Sequence, residues 1–296
     1  MRAEDWSSFD FSYTLDLRRL IPHILAIEEY KAAALGPVLP PHWLEVPEGF
    51  APDSVDDATL SPDSSVEPRQ DQSAMVPQRL LVRDTSKARA WIKQRFVPGS
   101  APLELADILT LHWMVAEEHG VKGPTAGALR TKPAEVGREL VGGIHQGAPV
   151  KQLPLLMDRY VEFIDGAALG RLPPVIHALL AHFFLDTIHP FVDGNGRTSR
   201  LVAAAILSRH GYNVHGSYAL VRYFYRHDVL YHTILQRIWK RCPFEVTPFV
   251  AFGMEGFVLE LKSVDSFIKM KLNRIGRDIA VPAFRGRIGA RPHALN

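Results

Sequence analysis

Residues 181–200 read Ala-His-Phe-Phe-Leu-Asp-Thr-Ile-His-Pro-Phe-Val-Asp-Gly-Asn-Gly-Arg-Thr-Ser-Arg and join two strongly helical patterns. The stretch from Leu172 to Ile188 starts with two prolines and is apolar on nearly every face, which predicts a central buried helix. The Asp193-Gly194-Asn195-Gly196 segment that follows predicts a tight loop opening onto the next helix. The buried helix would therefore hold His189 rigidly at its C-terminal end.

The predicted loop combines several groups that bind phosphate. Gly194 and Gly196 permit positive φ and close approach of the main chain, so successive N–H groups can face an anion at the helix N-terminus. Arg197 and Arg200 are three residues apart and share one face of the first helical turn, where both guanidinium groups can hold phosphate oxygens.

Two further residues of this stretch predict chemistry at a phosphate. Asp193 is a lone carboxylate among phosphate-binding groups, which suits Mg²⁺ shared with substrate phosphates. His189 titrates near neutral pH and can accept a proton from an attacking hydroxyl group. The alternative is a polar turn in which Asp193 caps a helix and the arginines are solvated.

The dodecamer from His189 to Arg200 resembles the signature of the Fic (filamentation induced by cAMP) family, His-Pro-Phe-x-Asp/Glu-Gly-Asn-Gly-Arg-x-x-Arg, and matches every fixed position. The resemblance implies an all-α helical bundle around a central buried helix, with a short β-hairpin flap and an N-terminal helical extension. It implies that His189 is the catalytic base and that Asp193 binds Mg²⁺. The implied residues of the nucleotide phosphate site are Gly194, Asn195, Gly196, Arg197 and Arg200.

The activity implied by the resemblance is protein adenylylation, in which AMP passes from Mg²⁺·ATP to a Ser, Thr or Tyr hydroxyl of a target protein. One alternative is a transferase that uses UTP or GTP. A second is a Doc-like kinase, a branch that carries lysine where this chain has Gly196. A third, from another class, is a non-catalytic nucleotide-sensing module that binds DNA or a partner through a basic C-terminal segment.

The glycine-punctuated region before the motif predicts a short hairpin over Val136 to Ile144. It resembles the Fic flap, which binds the target by strand addition. An ordinary surface hairpin is the alternative. The implied docking residues are Val136, Gly137, Arg138, Glu139, Leu140, Val141, Gly142 and Gly143.

Three residues outside the motif have more than one interpretation. Tyr231 stands where the family often has a tyrosine near the nucleotide base, although an aromatic residue at helical spacing is more often part of a core. His112 is predicted to be a core or rim histidine rather than a metal ligand. Arg130 is either structural or faces the target.

Many Fic proteins carry an inhibitory helix in which Ser or Thr stands four residues before a glutamate that precedes Gly or Asn. Glu48 and Glu255 precede glycine, but Leu44 and Ala251 occupy the Ser/Thr positions. Glu67 is a degenerate candidate, and the proline after it disfavours a helix there. The protein is therefore unrestrained, restrained by a separate inhibitor, or controlled by a divergent element.

The chain is expected to divide into an N-terminal helical extension and linker (1–80), a catalytic core (81–260) and a basic C-terminal helix or tail (261–296). Residues 51–73 read as a long loop or linker rich in Asp, Ser and Pro. From Lys262 onward the sequence contains eight basic and two acidic residues, and this positive charge permits contact with nucleic acid or an acidic partner. The other predicted helices are 13–35, 85–96, 103–119, 151–168, 201–210, 221–241 and 246–267.

Composition and charge limit the class of protein and its possible partners. The chain has 296 residues, 47% hydrophobic and 22% charged, which is typical of a soluble globular protein of one or two domains. A net charge of +2 argues against nucleic-acid binding by the whole chain. The single cysteine, Cys242, excludes an internal disulfide and is predicted to be structural in a core-like context.

The sequence favours the cytoplasm and no membrane contact, because it has no long apolar run and no apolar signal region near Met1. A protein injected by a secretion system would have the same features. Self-modification and a homodimer are further partner hypotheses.

Overall fold

The computed structural model of the chain describes residues 6, 9–34, 86–118, 125–138, 143–212, 223–224 and 226–288. This part of the chain is mostly helical, as predicted, and carries two small two-stranded sheets. Its helices are α1 (Leu17–Ala34), α2 (Ser86–Arg95), α3 (Leu105–Glu118), α4 (Leu153–Asp165), α5 (Ala167–Gly170), α6 (Pro174–Ile188), α7 (Asn195–Arg209), α8 (Asp228–Ile238) and α9 (Thr247–Ile288). Its strands are β1 (Tyr13–Thr14), β2 (Glu135–Arg138), β3 (Gly143–Gln146) and β4 (Phe244–Glu245).

Helix α6 is the predicted central helix, and it lies in the core because its sequence is apolar on all sides. Every residue from Val175 to Ile188 is buried. Pro174 occupies the first helical position, where a missing N–H removes no intrahelical hydrogen bond. Burying each large apolar side chain contributes roughly 1.5–3 kcal/mol, so packing rather than local propensity stabilises this helix.

The other helices surround α6 and α7. Helix α7 packs along α6, and α3 and α2 pack against α7. Helices α4 and α9 contact α6, and α1 runs along α9. Gly253 lets α9 approach α6 closely, because a Cβ at this position would lie 2.3 Å from Leu179 Cδ2.

The N-terminal segment joins the same core. Strand β1 pairs with β4 in parallel, with Tyr13 opposite Phe244. The rings of Phe9 and Phe11 contact Phe184 of α6 and are buried. The division at residue 80 stays a prediction, and described residues on both sides of it share one hydrophobic core.

Several expectations from periodicity need correction. The first predicted helix begins at Leu17 instead of Tyr13, because Tyr13–Thr14 forms a strand. The helix predicted over 151–168 is a 3-10 turn (Val150–Gln152) followed by α4 and α5. The helix predicted to end at 267 continues to Ile288.

Cys242 is exposed rather than core-like, because it lies in the connection before β4. The linker 51–73, Glu48 and Glu67 lie outside the described residues. Among the residues that are described, no helix combines the length and the apolar character needed to cross a membrane.

Candidate active site

His189 terminates α6 in an unusual backbone conformation. Its φ of 53° and ψ of 60° are left-handed, and its N–H donates to the carbonyl of Leu185 at 2.9 Å. Helices commonly end on a left-handed residue, but glycine is the usual one, because a side chain is strained there. The residue predicted to be the base therefore has a strained backbone conformation, and contacts from neighbouring groups must stabilise that conformation.

Strand β3 and the residues that follow it contact the C-terminal end of α6. His145 Nε2 lies 2.9 Å from the carbonyl oxygen of Thr187, and the main-chain N–H of Ala148 donates to Ile188 at 3.0 Å. The last carbonyl groups of a helix have no intrahelical partner, so these contacts replace the missing hydrogen bonds. They fix β3 and its exit against the end of the central helix.

Arg130 continues this set of contacts into the motif. Its main-chain N–H donates to Pro190 at 2.9 Å, and its Nε donates to the carbonyl oxygen of His189 at 2.7 Å. The side chain is only 3% exposed. Of the two interpretations of Arg130, this geometry favours the structural one.

The loop after His189 is closed by one side chain. Asn195 Oδ1 accepts from the main-chain N–H of Phe191, and Asn195 Nδ2 donates to the carbonyl of the same residue, both at 2.9 Å. Gly194 caps α7 with φ at 79°, which glycine adopts without strain. The side chain of Asn195 is therefore engaged within the loop, and its main-chain N–H belongs to the helix N-terminus that would face an anion.

Asp193 is positioned for a metal shared with phosphates. Its side chain is 74% exposed, Oδ2 accepts from Arg197 Nη2 at 3.1 Å, and Oδ1 accepts from the N–H of Gly194 at 2.6 Å. Among the described residues, no group of three or more His, Cys, Asp or Glu side chains is arranged to hold a metal ion. One accessible carboxylate beside a phosphate site fits Mg²⁺, which commonly takes one or two protein ligands and completes its shell with phosphates and water.

The second arginine of the motif has unused hydrogen-bonding capacity. Arg200 Nε is buried and has no hydrogen-bond partner among the described residues. The guanidinium group lies close to Gly196, since a Cβ at that position would be 3.4 Å from Arg200 Nη1. A guanidinium group with an unsatisfied donor at a helix N-terminus suits an anionic ligand.

His112 supports the loop from α3, a role that its helical spacing did not indicate. Its ring stacks on Phe191 with centroids 3.8 Å apart. Nε2 lies 3.1 Å from the carbonyl oxygen of Asp193, and Nδ1 accepts from the N–H of Gly127 at 3.0 Å. These partners define a neutral ring protonated at Nε2, and burial lowers the pKa of His112 accordingly.

A buried polar network lies behind the motif. Asp186 accepts from Ser199 Oγ at 2.7 Å and from the hydroxyl of Tyr231, and its Oδ2 lies 3.3 Å from His182 Nε2. Burial alone would raise the pKa of Asp186, but His182 and the two hydroxyl groups hold that pKa well below its usual range. The network joins α6, α7 and α8 through one carboxylate.

The environment of His189 favours a neutral imidazole. Burial lowers the pKa of His189, while the charge of Asp186 acts in the opposite direction. Its Nδ1 is buried and makes no hydrogen bond of normal geometry with a described residue. A ring that is unprotonated near neutral pH can accept a proton.

Comparison with known proteins agrees with this geometry. The model of the Fic/DOC family matches residues 102–207, which run from just before α3 into α7. The chain therefore contains a Fic/DOC domain. The residues that position its motif, from His112 to Arg200, lie inside the matched range.

Curated relatives resemble this Fic/DOC domain over a limited length. Proteins named protein adenylyltransferase Fic from Drosophila erecta and Drosophila melanogaster are 38% and 39% identical to the chain over 110 residues. The match covers 37% of this chain and 21% of each relative. The chain thus corresponds to about a fifth of the length of these relatives.

Solved structures share the fold. A Fic family protein from Desulfovibrio desulfuricans aligns with a TM-score of 0.60 and 17% identity, covering 86% of this chain and 76% of that protein. A Fic domain containing signaling protein from Bacteroides thetaiotaomicron aligns with a TM-score of 0.55 and 21% identity, covering 84% and 97%. These likenesses show that the Fic arrangement extends over most of the chain.

The predicted hairpin is present in the Fic/DOC domain. Strands β2 and β3 pair antiparallel, with Val136 opposite His145 and Gly137 opposite Ile144. Gln236 of α8 is buried and donates from Nε2 to the carbonyl of Val136 at 3.0 Å. Of the predicted docking residues, Val136, Gly137, Arg138 and Gly143 belong to the strands, and Glu139, Leu140, Val141 and Gly142 lie outside the described residues.

Tyr231, a predicted site residue, and Glu255, which did not match the inhibitory pattern, both lie away from the phosphate loop. Tyr231 is 4% exposed, and its hydroxyl donates to Asp186. Its role beside the nucleotide base stays a prediction, and the structure places it in the core. Glu255 of α9 is exposed and interacts electrostatically with Tyr223.

Proposed function

We propose that this chain is a protein adenylyltransferase that moves AMP from Mg²⁺·ATP to a hydroxyl side chain of a target protein. One observation carries the proposal: a part-buried imidazole at the end of α6, its pKa lowered by burial, adjoins a glycine-opened helix N-terminus that bears two arginines and an accessible carboxylate. Curated relatives of the Fic/DOC domain carry the name of this activity.

The phosphates of ATP would bind at the N-terminus of α7. Main-chain N–H groups of Asn195 and Gly196 point out of the helix and stabilise negative charge together with the helix dipole. Arg197 and Arg200 neutralise the charge that develops on the leaving pyrophosphate. Asp193 would hold Mg²⁺, which, when bound, supplies positive charge to the phosphate oxygens.

His189 would serve as the general base. Its Nδ1 is buried, so Nε2 is the nitrogen that can meet an acceptor hydroxyl. The acceptor oxygen forms a bond to the α-phosphorus as its proton passes to His189. The bond from the α-phosphorus to the bridging oxygen breaks, and pyrophosphate leaves with that electron pair. Catalysis consists mainly of positioning and charge stabilisation.

The target would bind beside the hairpin. Strands β2 and β3 are joined to α6 through His145 and Ala148, so a segment added to the hairpin would lie near the base. Main-chain pairing depends little on the target's sequence. The paired segment supplies a Ser, Thr or Tyr side chain as the acceptor.

Labelled ATP tests the proposal directly. Purified chain is incubated with a cell lysate, Mg²⁺ and ATP carrying label in either the α- or the γ-phosphate. Adenylylation transfers only the α-label to protein and releases labelled pyrophosphate from the γ-labelled donor. Transfer of γ-label alone would show a kinase instead, and no transfer with intact nucleotide binding would favour a sensing module. Matched reactions with UTP and GTP identify the donor.

A further inference from the structure

Arg130 has no place in the chemistry described above, yet it is among the most deeply buried charged side chains near the motif. It is 3% exposed, and its guanidinium group contacts main-chain oxygens from three segments. Nε donates to His189 at 2.7 Å, Nη1 donates to Lys132 at 2.8 Å, and Nη2 donates to Ala148. A buried guanidinium is costly to desolvate unless such partners are supplied.

The contacts of Arg130 lie where the backbone is strained. His189 is left-handed with φ at 53°, and residue 130 binds the carbonyl groups of both His189 and Pro190. Two consecutive carbonyl groups held by one residue leave the intervening peptide little freedom to rotate. Arg130 therefore contributes to the strained conformation that directs the imidazole.

Gly147 provides the space for this arrangement. A Cβ at Gly147 would lie 2.9 Å from Arg130 Nη2, 3.1 Å from His189 Cβ and 3.3 Å from the carbonyl oxygen of Ala134. The first two atoms belong to the guanidinium group and to the base itself. A side chain at position 147 would therefore displace the guanidinium group, the His189 side chain or both.

We propose that Arg130, accommodated by Gly147, is a positioning residue that fixes His189 relative to the exit of the hairpin at Ala148. The inference rests on the proposed adenylyl transfer, because it assigns Arg130 a role in aligning base and acceptor. Arg130 acts through His189 and through main-chain carbonyl groups. The geometry assigns it no contact with the nucleotide, whose phosphate site lies at the start of α7.

The charge of Arg130 gives the proposal a second readout. Asp186, Asp193, His145 and Arg130 are the charged or titratable groups that act on His189. The positive charge of Arg130 lowers the pKa of His189, so its removal raises that pKa. A base must be unprotonated, and activity is lost as pH falls through its pKa. Removing the charge therefore moves the acidic midpoint of activity to higher pH.

The test uses initial rates of α-label transfer to lysate acceptors, with ATP varied. Arg130→Lys keeps the charge and loses the planar set of donors, so kcat is expected to fall by about tenfold to a hundredfold. The KM for ATP and the Kd for ATP measured by calorimetry should change by less than about twofold. Equal loss of kcat and ATP affinity, or a wild-type kcat, would overturn the positioning role.

Two glycine variants distinguish a loss of positioning from a folding defect. Gly147→Ala should lower kcat and leave ATP binding intact, because its Cβ crowds both Arg130 and His189 without removing either side chain. Gly170→Ala is the matched control, since nothing lies within 4 Å of a Cβ at that position. Both variants should retain a cooperative thermal transition. Wild-type kcat in Gly147→Ala would contradict the proposal.

The charge-removing variant separates this inference from the proposed function. NMR titration of the His189 ring in Arg130→Met should give a raised pKa, whereas Arg130→Lys should leave the ring pKa near that of the wild type. This measurement needs no enzymatic activity. Absence of transfer by the wild type would reject the adenylyltransferase, whereas an unchanged ring pKa in Arg130→Met together with unchanged kcat would reject only the role of Arg130.

Discussion

His189 shows how a single residue can serve both a fold and a reaction. It ends α6 in a left-handed conformation, and this turn directs the chain into the phosphate loop. A glycine would end the helix with less strain but would supply no base. The strain is compensated by contacts from Arg130 and from the hairpin exit. Local geometry and chemistry are thus joined at one position.

Replacement of His189 tests its role as base. His189→Ala should lower α-label transfer by about 10²–10⁴-fold, the usual contribution of a general base. The affinity for ATP and the thermal midpoint should stay near those of the wild type, because the phosphate loop keeps its own contacts. His189→Asn is the matched control for the backbone, since asparagine tolerates the left-handed region. Transfer at the wild-type rate by either variant would reject His189 as the base.

The contacts of His112 predict an effect on the affinity for ATP. His112→Phe keeps an aromatic ring against Phe191 but removes the contacts to Asp193 and Gly127. Leaving those main-chain groups unpaired costs about 1–3 kcal/mol, and ATP binding must restore the loop order that these contacts hold, so ATP binding should weaken by up to roughly a hundredfold. Calorimetric titration with Mg²⁺·ATP measures the change.

The control for His112 lies on the same helix. Thr110→Ala removes only a hydrogen bond to the carbonyl of Ala106 within α3 and should leave ATP affinity unchanged. If His112→Phe bound ATP as the wild type does, the histidine would be a packing residue alone.

Residue types in the motif were predictable, but the residues that hold them were not. Motif spacing predicts a helix, a glycine loop and a second helix, and the structure has all three. His112 and Arg130 act on main-chain carbonyl groups that are 81 and 59 positions away in sequence. A carbonyl group is present in every residue, so no pattern of side chains indicates such a contact.

Among the elements, the long amphipathic or apolar helices followed directly from their periodicity. Elements shorter than one period could not be recognised, as β1 and β4 contain two residues each. Their pairing joins Tyr13 to Phe244, positions that no local pattern relates. The flap hairpin was predicted because glycines divide the sequence there and because the family motif gave its place.

Asp186 joins three elements, and its replacement should destabilise the fold. Asp186→Ala leaves His182, Tyr231 and Ser199 without their shared acceptor inside the core. Breaking a buried charged network of this kind costs about 3–5 kcal/mol. Urea unfolding at pH 7 measures the loss as a lower midpoint with an unchanged slope.

Ser199→Ala provides the comparison for Asp186. It removes one neutral donor and keeps the carboxylate, so a cost of about 1 kcal/mol is expected. A cost of similar size for Asp186→Ala would show that the network contributes little to the joining of α6, α7 and α8.

At the scale of the whole molecule, the N-terminal segment and α9 enclose the Fic/DOC domain. Phe9 and Phe11 pack on α6 from one side, and α1 runs along α9. These contacts lie largely outside the region that the family model matches. The surrounding helices therefore stabilise the central helix whose end carries the base, and global stability is linked to the geometry of the site.

Buried histidines predict how that global stability depends on pH. Burial lowers the pKa of both His145 and His177 from 6.5 to about 4. The unfolded chain protonates these rings as pH falls below 6.5, whereas the folded chain keeps them neutral down to about pH 4. Unfolding therefore takes up protons between these values, and stability must fall as pH decreases through this window.

Each histidine should contribute about 2 kcal/mol of destabilisation between pH 7 and pH 5, or about 4 kcal/mol for the pair. Asp186 adds nothing in this interval, because a carboxylate with a lowered pKa loses its contribution only below pH 4. Urea unfolding at both pH values measures the change, and His177→Phe should reduce it by about 2 kcal/mol, the contribution of one such ring. A midpoint equal at pH 7 and pH 5 would mean that the two rings are protonated in the folded chain at pH 5, and burial would then be no argument for a lowered pKa at His189.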